Sequence, residues 1–108
     1  MIAVEFIKSE LSKFVKSYPK VRVRGEFDSE IKSYFIEIVP SELFNFNELY
    51  IEWEKSLLEK FIMQFPNENL FFISDDALVG LDRIDFELYG TEYHSIPTTN
   101  NNFAILNV

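Results

Sequence analysis

Apolar residues recur every three or four positions over residues 47–65, NELYIEWEKSLLEKFIMQF, the longest uninterrupted helical pattern in the chain. Trp53, Leu57, Phe61 and Phe65 repeat every four residues, and Tyr50, Leu58 and Ile62 widen the stripe. At least about half of the circumference is then apolar, which predicts a helix laid on a large surface such as a sheet. Asn47 is placed to cap its first turn, and Pro66 stops it.

A second helix is predicted over residues 2–17, where Val4, Ile7, Leu11, Phe14 and Tyr18 follow a 3-4-3-4 spacing that Pro19 ends. Strict alternation follows in residues 20–27, with Val21, Val23 and Phe27 on one face and Lys20, Arg22, Arg24 and Glu26 on the other. Residues 28–30 are turn chemistry, and residues 33–39 form the return strand, with Glu37 placed to pair with Arg22 or Arg24. Residues 41–46 are a connector or an early turn of helix before the central helix. Beyond it, the apolar run 70–73 suits a buried strand, residues 74–82 a wide turn, and residues 83–89 another alternating strand with Ile84, Phe86 and Leu88 inward. In the tail, residues 93–96 and 103–106 are candidate short strands around a polar loop.

The segment LSKFVKSYP (11–19) aligns with LEKFIMQFP (58–66), and YFIEIVP (34–40) with IDFELYG (84–90). The pattern predicts a single α+β domain over residues 1–108. Its expected form is a two-layer αββαββ sandwich with an internal pseudo-repeat, two helices on one face of a mainly antiparallel sheet of four to six strands. The units are residues 1–40 and 41–90, with residues 91–108 as an extra strand or tail.

Composition narrows the chemistry. The chain has 108 residues, twelve Phe, five Tyr, one Trp and no Cys, so the core is aromatic and thiol chemistry is excluded. No segment resembles a leader peptide or a membrane span, and a cytoplasmic setting is the default expectation. The net charge is −8, which argues against nucleic acid as a partner. The charge is also divided: residues 1–24 carry six cations and two carboxylates, residues 25–108 four cations and sixteen carboxylates.

Candidate chemistry is sparse. Glu54 lies within the apolar arc of the central helix, and a pocket built from Glu54, Tyr50 and His94 is the candidate ligand or acid–base site. His94 is the single histidine, so no metal or other cofactor is expected. Asp75, Asp76, Asp82 and Asp85 lack the spacing of a calcium loop. Neither a nucleophile elbow nor a phosphate-binding glycine loop is present. Lys20, Arg22 and Arg24 form a cationic row that would suit phosphate or an acidic partner, or would guard a strand edge against aggregation. These readings favour a small acidic protein-interaction module, partner-neutralising or chaperone-like, over a small-ligand domain or enzyme built around Glu54. Its expected partner is another protein or a second copy of itself.

Overall fold

The computed structural model describes residues 2–94, which form an α+β fold of three helices and a four-stranded mixed sheet. The first helix, α1 (Ala3–Ser17), leads into an antiparallel hairpin of β1 (Arg22–Asp28) and β2 (Ser33–Val39). Residues 41–46, expected as a connector or an early turn of helix, are a short helix, α2 (Ser41–Phe46). The central helix, α3 (Glu48–Gln64), precedes β3 (Asn69–Ile73) and β4 (Phe86–Tyr89). The Asn47 side-chain oxygen accepts a hydrogen bond from the Tyr50 N–H at 2.9 Å, as the cap reading requires.

The sheet order is β3-β2-β1-β4. β1 is antiparallel to both its neighbours, whereas β2 and β3 run parallel. Two of the three pairings are antiparallel, as expected, but the parallel β2–β3 pair makes the sheet mixed. The chain between β2 and β3 passes through two helices, long enough to return and start a parallel strand. The sheet does not repeat the first hairpin, because β3 and β4 stand at opposite edges with β1 and β2 between them. The matching sequences 11–19 and 58–66 are the last turns of α1 and α3, each closed by a proline.

Both long helices cover one face of the sheet. Phe6, Ile7, Leu11 and Phe14 of α1 and Tyr50, Leu57 and Phe61 of α3 are buried against Val21, Val23, Tyr34, Ile36, Ile38 and Leu70. Aromatic rings join the helices: Phe14 lies 4.2 Å from Trp53 between centroids, and Phe6 lies 5.8 Å from Phe65. Such contacts add about 0.5–1.5 kcal/mol each beyond the area they bury. The apolar stripe of α3 is narrower than its sequence suggests, since Ile62 is exposed. Ile84 is exposed too, because β4 begins only at Phe86.

Among the described residues, the opposite face carries no helix. The connection from β3 to β4, residues 74–85, has to cross from one edge to the other, and it runs over this open face. Its Asp82 N–H donates to Glu26, and its Asp85 N–H to the Gly25 carbonyl at 2.8 Å. A cavity of about 370 Å³ remains between this strap and Phe35, Phe71 and Ile73. Tyr93 and His94 are not in a strand. The remainder of the expected tail strands lies outside the described residues.

Candidate functional site

Glu54 and Tyr50 do come together, one turn apart on α3. The Tyr50 hydroxyl donates to Glu54 Oε1 at 2.6 Å. Tyr50 is fully buried, between Phe14, Phe44 and Trp53. Burial raises the Tyr50 phenol far above its ordinary value, and the neighbouring carboxylate adds to the shift. The carboxylate is thus held by its own helix, through the one polar atom of a residue that reads as apolar in the sequence. His94 is elsewhere, exposed beside Lys20 and Arg22 at the start of β1.

The cationic row is largely spent inside the sheet. Arg22 binds Glu37 at 2.8 Å across the hairpin, as one of the two sequence options required. Arg24 instead pairs with Glu87 on β4, directly opposite it in the register. The guanidinium holds Glu87 below the usual carboxylate range. Lys20 alone of the three is exposed. It joins Arg22, His94, Glu42 and Asp75 around a cavity of about 510 Å³, so three of the predicted residues meet in a combination that sequence alone did not suggest. The Arg22 Nε is buried there without a hydrogen-bond partner among the described residues.

The acidic turn is likewise divided among local tasks. Asp76 accepts from the Asn45 side chain at 2.9 Å, and Asp85 accepts from the Phe27 N–H at 2.8 Å and from Arg83. Among the described residues no group of three or more His, Asp or Glu side chains could hold a metal. No helix among them is long and apolar enough to cross a membrane.

A second opening adjoins the Lys20 cavity and shares Lys20, Pro40 and Glu42 with it. It is a groove of about 580 Å³ between the α1–β1 turn (Tyr18, Pro19, Val21) and α2 (Leu43, Phe46). Helix α2 turns Phe44 toward Tyr50 and leaves Phe46 outside, 79% exposed; Leu49, at the start of α3, is 75% exposed. Around them the chain is acidic without relief: residues 33–54 contain five carboxylates and no Lys or Arg. Glu37 is taken by Arg22 and Glu54 by Tyr50, while Glu42, Glu48 and Glu52 are exposed.

No protein-family model, curated protein or solved structure matches this chain. Lys20 apart, the residues of this groove were not among the candidate binding residues singled out by sequence. Their available signal was the run of acidic and aromatic residues without a cation over 33–54, which reads as a connector until α2 fixes which side chains face outward.

Proposed function

We propose that this chain is a small acidic protein-interaction module that engages a basic partner protein through α2 and the first turn of α3. The observation that carries the reading is the exposure of Phe46 and Leu49 beside an apolar groove and among Glu42, Glu48 and Glu52. Exposed aromatic and aliphatic side chains supply anchor energy where a partner excludes water. A rim in which Glu42, Glu48 and Glu52 outnumber Lys20 steers a basic partner and disfavours acidic ones. The role fits a neutralising or chaperone-like cover for a basic surface. A ligand or acid–base site around Glu54 has weaker support, since its carboxylate is engaged by Tyr50 in the aromatic core and His94 lines a different cavity.

The test uses a fluorescently labelled amphipathic peptide of Lys and Leu as the probe, with an all-Lys peptide and a Glu–Leu peptide as controls. The Lys–Leu peptide is expected to bind at low salt. Replacing Phe46 and Leu49 together by Ser should weaken it about tenfold or more without unfolding the chain, because both side chains are exposed. Equal binding by the double variant, or equal binding of the all-Lys peptide, overturns the proposal.

A further inference from the structure

We infer that β3 is a self-pairing edge, through which two copies of this chain join their sheets antiparallel about a two-fold axis at Phe71. Among the described residues, the sheet order leaves β3 open on the side away from β2. The Asn69 N–H donates to the Lys32 carbonyl on the β2 side at 2.9 Å. Alternation along a strand then turns the peptide groups of Phe71 and Ile73 toward β2 as well, and those of Leu70 and Phe72 outward. These outward donors and acceptors are the template for another strand.

Edges of this kind are ordinarily blunted by charge, proline or a bulge. β4 carries Glu87, locked to Arg24. β3, with the sequence NLFFI, has no charged residue and no proline. Phe71 is 47% exposed and stacks on Phe35 with ring centroids 5.2 Å apart.

The sequence of β3 suits a copy of itself. With Phe71 on the axis, Leu70 faces the partner's Phe72, and the reciprocal pair follows by symmetry. About four main-chain hydrogen bonds form, and the two Phe71 rings meet as a close non-hydrogen-bonded pair. The aromatic row Phe35–Phe71 then continues into the second copy across an eight-stranded sheet.

Size and charge set the strength of this contact. A five-residue edge about 17 Å long buries less than the roughly 800 Å² per partner of a standard interface, so the dimer is weak and concentration-dependent. Each copy carries −8, but the edge itself is uncharged. Added salt should therefore screen repulsion and strengthen the dimer. An ionic head-to-tail contact between the basic and acidic parts of the chain would respond in the opposite way.

Sedimentation equilibrium of the full chain up to about 1 mM, at low salt and at about 0.5 M salt, is expected to show a dimer favoured by salt. Phe71→Lys should shift the association constant at least about tenfold toward monomer, with an unchanged circular dichroism spectrum. The cysteine-free background permits a second measurement. F71C should oxidise to a disulfide-linked dimer, because residues opposed in a non-hydrogen-bonded pair have Cα atoms about 4.5 Å apart. L78C, at a more exposed position on the strap, should cross-link more slowly. A monomer at the highest concentration in high salt, a dimer weakened by salt, or F71C cross-linking no faster than L78C overturns the inference.

Discussion

Gly90 sits where the end of β4 crosses the α1–β1 turn, and its replacement by alanine tests that junction. Gly90 is buried; its N–H donates to the Val21 carbonyl at 2.7 Å, and two residues on the Glu92 N–H donates to the Pro19 carbonyl at 2.8 Å. A Cβ on Gly90 would fall on the Pro19 carbonyl group and 2.8 Å from the Pro19 Cα. Every atom it meets is main chain, so no side chain can swing aside. Restoring ordinary contact distances of about 3.5 Å requires the two segments to part by about 1 Å. That displacement carries both hydrogen bonds beyond the useful range of about 3.2 Å. Each bond is worth about 1 kcal/mol, or up to about 3 kcal/mol where its groups stay buried and unpaired. The expected cost is therefore about 2–4 kcal/mol, a large share of the roughly 5–15 kcal/mol that holds a domain together. Urea unfolding should show the midpoint falling by about 1–2 M. Gly80→Ala is the control: a Cβ there meets nothing within 4 Å, and Gly80 has no positive φ. That variant should lie within about 0.5 kcal/mol of the parent, or gain slightly from a stiffer unfolded chain. A G90A midpoint equal to the parent's, or equal losses in both variants, would refute the close-approach argument.

Two further predictions concern pH. Burial, together with the hydrogen bond that Tyr34 donates to Glu68 at 2.6 Å, pushes the Tyr34 phenol from 10.0 up to about 12. A raised folded value means that the Tyr34 contribution is complete below pH 10 and is lost as pH rises toward 12. The stability advantage of the parent over Tyr34→Phe should accordingly shrink across that interval, and a constant difference by urea unfolding would sink the assignment. Glu87 shifts the other way, its value lowered from 4.5 chiefly by the hydrogen bond from Arg24. Its contribution is present at neutral pH and disappears as pH falls below 4.5 through the folded value. The parent should therefore exceed Glu87→Gln in stability at neutral pH and lose that lead in acid, whereas an equal gap at both ends would contradict the Arg24–Glu87 pairing.

The parts of the fold that sequence exposes are those governed by local periodicity. The α1 and α3 stripes, the prolines that end them, the Asn47 cap and the alternation of β1 and β2 all act within a few residues, and the structure has each of them. Strand partnership is not local. The apolar run of β3 reads the same whether its neighbour is parallel or antiparallel, and only the spatial order shows that β3 and β4 flank the sheet from opposite sides. Side-chain partners follow the same division. Arg22 finds Glu37 across a short hairpin, but Arg24 finds Glu87, 63 residues away. Glu54 was legible as an anomaly and its partner was within one turn, concealed because the ring of Tyr50 counts as apolar while its hydroxyl does not. The groove beside α2 was not legible, since whether Phe44 or Phe46 faces the core depends on where that short helix rests.

The strap over the open face also has a bearing on how the molecule assembles. The β1–β2 ladder can zip from its own turn, whereas β4 has only four residues and must be delivered from across the whole sheet. Its docking site, the exposed flank of β1 together with the Pro19 and Val21 carbonyls, does not exist until the hairpin and α1 have met. β4 is therefore placed as a latch, expected to close after the layers beneath it and to lift first, which faster amide exchange in β4 than in the β1–β2 ladder would show.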